Sequence, residues 1–156
     1  MRHWPLVTTV LLLLVVAAAG QETPPANPGQ AMPPDTPAYT PKFPGDPAHS
    51  EAEAGALAYM RVVVRAEQEY HKKHNAYTTS LAGLAGHGSF TKRMVNTSRG
   101  DYTAHFKSTG KQFTLEMVPK QFDAQHRAFY VNELGVIRGE EEKQATEDSP
   151  PVKSGR

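Results

Sequence analysis

The chain carries seven histidines and no cysteine, so imidazole is the first group to test for chemistry. His71 and His74 stand at i, i+3, a spacing that can place two rings on one face of a helix. His105 and His126 fall in stretches that read as strands. A closed zinc site takes four ligands and a catalytic one takes three plus water, and the helical pair supplies two. No metal ligand is assigned; beside Lys72 and Lys73 the pair reads as the basic, solvated end of a helix. Ser80 and Ser89 lack the Gly-x-Ser-x-Gly context of an exposed nucleophile. Glu67 and Glu69 are two apart, so on a helix they do not face one another. Gly83, Gly86 and Gly88 are not followed by the Lys-Ser/Thr of a phosphate loop. Without cysteine there is no thiolate nucleophile, disulfide or thiolate metal site. The reading is a protein that is not an enzyme, with no catalytic residue, no metal and no cofactor. Asn96-Thr97-Ser98 fits a glycosylation sequon and Arg99-Gly100-Asp101 an adhesion tripeptide, but words of three residues arise by chance and neither is given a role.

Charge narrows the partners. Lys and Arg number 17 against 16 Asp and Glu, a net charge of +1. A near-zero balance lacks the long-range attraction that nucleic-acid binders use, so no nucleic acid is expected. The charge is unevenly spread: residues 50–139 hold 12 basic and 8 acidic groups, and 140–156 hold five acids and three bases. The acidic tail could fold back over the basic domain. The plainer reading, a solvated and disordered solubilising tail, is preferred, since exposed ion pairs contribute little.

The chain of 156 residues divides into four parts. Residues 1–20 read as a secretory signal peptide: a short basic start, an apolar run over 6–19, then Ala17, Ala18, Ala19 and Gly20 before polar Gln21. The rival is a retained anchor, but the run falls short of the about 20 apolar residues that a spanning helix needs. Cleavage would leave 16 basic against 16 acidic groups, an exported chain placed in the periplasm or at the cell surface, and no stable membrane insertion. Residues 21–49 hold nine prolines, which remove amide donors and fix φ, and read as a disordered, extended tether. Residues 50–139 carry the periodic patterns of a folded domain, and 140–156 are the tail.

Within 50–139 the elements follow from spacing. Ser50 and Glu53 form a capping box for a helix running to His74. Its apolar stripe is Tyr59, Val62, Val63, Ala66 and Tyr70, opposite Arg61, Arg65, Gln68 and Glu69. Leu57, Met60 and Val64 form a second, narrower apolar edge, either a flank of the core or a contact edge for a partner. Tyr77, Leu81 and Leu84 read as inward anchors of a loop, and 90–95 as a short helical turn. The period then becomes two: Tyr102, Ala104 and Phe106, a turn at 108–111, and Phe113, Leu115 and Met117, with Pro119 ending the hairpin. A third strand spans 126–132, burying either Phe129 and Val131 or Ala128 and Tyr130, and a short strand covers 136–138. The predicted fold is α+β, one long N-terminal helix packed on a three- to four-stranded antiparallel meander. The strand at 112–118 is expected to present an open edge.

Taken in order, these features resemble the head domain of type IV pilins and pseudopilins of the Acidobacteria-like type. Arg61, Val63, Ala66, Glu67 and Tyr70, then Tyr77, Ser80, Leu81 and Leu84, are similar to the family's helix end and following loop. Arg99-Gly100-Asp101-Tyr102-Thr103 is similar to the entry into its first strand. The most specific match is the closing hairpin Arg127-Ala128-Phe129-Tyr130-Val131-Asn132-Glu133-Leu134-Gly135-Val136-Ile137-Arg138 with the tail Ala145-Thr146-Glu147-Asp148-Ser149-Pro150-Pro151. The resemblance covers roughly residues 54 to 152. The prepilin-peptidase site and the apolar assembly helix of that family are missing, and the proline-rich segment stands in the helix's place. The resemblance therefore implies a pilin-like head exported as a tethered module, with a protein partner in the envelope, possible service to a type IV pilus or type II secretion system, and no filament core of its own. The alternative from another class is a stand-alone periplasmic small-ligand-binding module on the same helix-and-sheet plan.

Overall fold

A computed structural model describes residues 39–153. The signal peptide at 1–20 and most of the proline-rich segment lie outside the described residues. The described residues fall within one compact unit.

The order is α1 (Glu51–His74), 3-10 turns at Leu81–Leu84 and Lys92–Val95, then β1 (Ser98–Arg99), β2 (Tyr102–Ser108), β3 (Phe113–Pro119), β4 (Ala128–Asn132) and β5 (Arg138–Glu140). The fold is α+β, and its five strands form one antiparallel sheet in the order β1-β2-β3-β4-β5. That is one or two strands more than the spacing suggests. β1 is two residues long, too short to show a period, and pairs with β2 through a tight turn at Gly100, whose φ of 61° suits glycine.

The helix ends where its chemistry says it should. Ser50 Oγ accepts from Glu53 N–H at 3.1 Å and donates to the Gln125 carbonyl at 2.6 Å, so the cap also ties the helix start to the loop before β4. Asn75 closes the other end at φ 52°, its N–H bonded to the His71 carbonyl. The expected β2–β3 hairpin forms, with Ala104 opposite Met117 and Phe106 opposite Leu115, and turns through Gly110; Ser108, expected in the turn, pairs with Phe113 instead. Its tip is held by Tyr77 N–H donating to the Gly110 carbonyl at 2.8 Å.

One apolar cluster draws on α1, both 3-10 turns and the sheet, including Leu57, Met60, Val63, Leu115, Met117 and Phe129. Full burial of each such side chain stabilises by about 1.5–3 kcal/mol. Leu81 and Leu84 are buried as expected, at the Leu81–Leu84 turn.

Three expectations are corrected. First, β3 is not an open edge; it pairs with β2 on one side and β4 on the other. Second, the tail at 140–153 is ordered. It crosses the outer face of β4, where Ala145 forms a small cluster with Ala128 and Tyr130. All five residues of β4 are therefore buried, and the two burial patterns weighed for it are both realised, one on each face. The tail is held by backbone pairing, Gly139 N–H to the Pro150 carbonyl at 3.0 Å and Val152 N–H to the Ile137 carbonyl at 2.9 Å. Arg138 Nη1 donates to the Ser149 carbonyl and Ser149 Oγ to Glu140 Oε1, each at 2.8 Å. Gly139 lets the strap lie close: a Cβ there would sit 3.0 Å from Val152 Cγ2. Third, the folded part begins before Ser50. The Asp46 carboxylate collects Tyr39 Oη, Lys42 N–H and Ala48 N–H at 2.6–3.2 Å, folding the end of the proline-rich segment against the start of α1. That cage, chiefly the Tyr39 hydroxyl, lowers the Asp46 pKa, and the Tyr39 phenol is pushed up to about 12 by lost hydration and the same hydrogen bond.

Candidate functional site

The contact edge Leu57, Met60 and Val64 is not a free surface. The three side chains are 1%, 0% and 9% exposed and belong to the main cluster. Their row extends further than three residues. Glu53, Leu57, Met60, Val64 and Glu67 recur at i, i+4, i+7, i+11 and i+14, one stripe of the helix, and both glutamates are fully buried. A glutamate on a buried stripe must find donors, and these two define the molecule's main polar constellations.

At the start of the stripe, Glu53 is locked to Arg127, which precedes β4. The carboxylate accepts from Arg127 Nη2 at 2.7 Å, from Arg127 Nε at 3.0 Å, and from the backbone N–H groups of Arg127 and His49 at 2.8 Å. Arg127 Nη2 also donates to the Pro47 carbonyl at 2.6 Å. The guanidinium is 13% exposed. This arrangement joins the proline-rich lead-in, the helix start and the sheet at one point. The Glu53 carboxylate reaches back past its cap residue to His49, which is why the simple capping-box reading did not reveal its main partner.

Further along, Glu67 accepts from Thr78 N–H at 3.0 Å and from the Thr78 hydroxyl. Burial raises the Glu67 pKa against the lowering effect of these two hydrogen bonds. Glu69 lies two residues on and points elsewhere, beside Gly88, so the pair does not form a dyad.

Three of the histidines meet tyrosine rings. His71 stacks on Tyr77 with centroids 4.4 Å apart, and His74 lies tilted against Tyr70 at 4.2 Å; His87 meets Tyr70 edge-on at 5.1 Å and lies 6.1 Å from His74. The helical pair is thus spent on two different rings. His105 is exposed on β2, and His126 lies just before β4 rather than in it, its Nδ1 2.8 Å from Asp123 Oδ1. The Asp123 carboxyl is held below its usual range, chiefly by the Gln125 N–H. Among the described residues, no three His, Asp or Glu side chains are grouped to hold a metal.

The tripeptide Arg99-Gly100-Asp101 forms the β1–β2 turn, with Asp101 exposed but Arg99 pinned. The Arg99 guanidinium lies over the Tyr59 ring at 4.2 Å and donates to the Met94 carbonyl. An open groove of about 900 Å³ runs between the lead-in at 46–49, Arg127 and the strap at 139–143 and 150–153. Leu57, Met60, Leu115 and Met117 of the main apolar cluster do not line it and are all at 1% exposure or less.

Comparisons with protein-family models, curated proteins and solved structures found no match to this chain.

Proposed function

We propose that the chain is an exported, non-enzymatic, pilin-like module that acts by protein contact in the cell envelope, as an accessory to a type IV pilus or type II secretion assembly. The helix is read as packed across the meander in the manner of a pilin head. The observation that carries the reading is the use to which the family-like residues are put. Arg127, the first residue of the most specific stretch, ties the sheet to the helix start through Glu53. Ala145 and Ser149, from the Ala-Thr-x-x-Ser-Pro-Pro stretch, hold the strap on β4 and β5. Leu81 and Leu84 are buried where the loop resembles that family. The residues that prompted the resemblance are thus used for packing, at three separate places in the fold, and that use is what favours the reading.

The test is an intact mass and N-terminal sequence of the native protein, taken separately from the soluble periplasm, the membrane and sheared surface filaments, with cross-linking before fractionation. A start at Gly20 or Gln21 and a covalent adduct with a pilus or secretion component support the reading. A protein retained in the cytosol with Met1 intact, or one that yields no adduct with either assembly, refutes it.

A further inference from the structure

Among the described residues, the large apolar side chains left exposed are Phe43, Phe122, Leu134 and Val136, at 47%, 37%, 71% and 43%. Three of these four lie in segments that approach α1. Leu134 and Val136 flank Gly135 in the β4–β5 turn, and Gly135 sits against the helix, where a Cβ would be 3.5 Å from Val64 Cγ1 and 3.6 Å from Gln68 Nε2. Phe43 lies under the Arg61 guanidinium, 5.9 Å from ring centroid to Cζ. The helix face between them is Arg61, Arg65, Gln68 and Lys72, all exposed, at i, i+4, i+7 and i+11. The nearby acids offset it only in part. Asp46, a carboxylate held below its usual range chiefly by Tyr39 and also by Arg61, faces the Arg61 end, whereas Glu51 is taken by Lys42 at 2.6 Å and Glu69 leans toward Gly88. Glu133, half-buried beside the tip, is the remaining carboxylate.

We propose that this face docks on an anionic bilayer surface, with Leu134 and Val136 entering the headgroup layer while Arg61, Arg65 and Lys72 meet lipid phosphates. A basic stripe bordered by exposed apolar side chains is the composition of an interfacial binding surface. The bilayer is favoured over an acidic protein because the apolar residues stand at the apex of a tight turn, with Gly135 at φ 74°, and Leu134 projects almost bare. A projection of that kind enters a deformable layer without needing a matching cavity. The docking is peripheral: none of the described helices is long and apolar enough to cross a membrane. The proposal does not depend on the pilin-like reading and fails or stands separately from it.

The experiment is flotation with vesicles of phosphatidylcholine alone and of phosphatidylcholine mixed with phosphatidylglycerol. It uses the chain from Gln21 onward, which retains the whole compact unit and lacks the N-terminal apolar run. Binding is expected on the mixed vesicles only and is expected to weaken with salt. Arg61→Gln with Arg65→Gln is expected to lower partitioning about twenty-five-fold, since each basic side chain near such a surface contributes about fivefold. Leu134→Ser with Val136→Ser is expected to lower it about tenfold. All four positions are exposed, so thermal melts of the variants should superimpose on that of the parent. Equal binding to both vesicle types, no binding to either, or variants that bind like the parent would overturn the proposal. Capture by soluble polyglutamate without vesicle binding would also overturn it, in favour of an acidic protein partner.

Discussion

Arg127→Met removes the guanidinium from a carboxylate that has no access to water. Glu53 is fully buried, and the substitution leaves it only the N–H groups of His49 and Arg127. Removing one partner of a buried, hydrogen-bonded pair costs about 3–5 kcal/mol, because the remaining charge keeps its desolvation penalty and loses its compensation. A domain of this kind has about 5–15 kcal/mol to lose. The substitution should therefore consume about a fifth or more of the stability and lower Tm by about 12–20 °C. Glu53→Gln removes the charge that the guanidinium balances, while Arg127 keeps the Pro47 carbonyl. The double variant Glu53→Gln, Arg127→Met leaves no unpaired buried charge, so it should be more stable than the two single losses added together predict, by about 2 kcal/mol. Urea unfolding of the four proteins, followed by far-UV circular dichroism, measures this coupling. The reasoning is refuted if Arg127→Met costs less than about 1 kcal/mol, or if the double variant shows simple additivity.

Three further outcomes follow from the same packing. Leu57→Ala should cost about 2–5 kcal/mol in urea unfolding, the value for a core cavity, whereas a contact-edge residue would leave the isolated protein's stability unchanged. Glu67 has a raised folded-state pKa, so the stability it contributes is present below its unfolded value near 4.5 and is lost as pH rises through the folded value. Glu67→Gln keeps partners for the Thr78 N–H and hydroxyl, so its stability relative to the parent should improve between acid and neutral pH; a pH-independent difference in urea midpoint would contradict this. Truncation after Glu140 uncovers Ala128 and Tyr130 and removes two backbone hydrogen bonds to the strap. It should lower stability by about 2–4 kcal/mol, nearly equally at low and high salt, because the strap is held by backbone pairing and apolar contact. A loss confined to low salt would mean that charge attraction holds the tail instead.

The local elements were legible because each is specified by neighbours in sequence. Ser50 caps from three residues away, the helix repeats its stripe every turn, and the hairpin alternates about a glycine turn, all interactions of short range. The tail was not legible. Its acids and prolines argue against an independent core, and they are correct about that: Ala145 is buried only because β4 presents Ala128 and Tyr130 on its outer face. The burial of β4 on both faces was illegible for the same reason, since the covering layer lies beyond the strand itself. β1 escaped notice because two residues cannot show a period. The stripe of Leu57, Met60 and Val64 did carry a signal that it is central rather than marginal, namely the glutamates at either end, which on a helix of this pitch share its direction.

The sequence by itself determined where α1 starts and stops, that β2 and β3 form a hairpin, and the α+β class, through capping, periodicity and turn chemistry acting over a few residues. Only the tertiary structure decided that Leu57, Met60 and Val64 join the core rather than a contact edge, that β3 is flanked on both sides, and which partners the buried glutamates take. Those outcomes depend on meetings such as Glu53 with Arg127, 74 residues apart, and no local preference encodes such a distance. Burial without a donor would be costly, so the fold brings the distant arginine to the glutamate, and that requirement became visible only when the elements were packed.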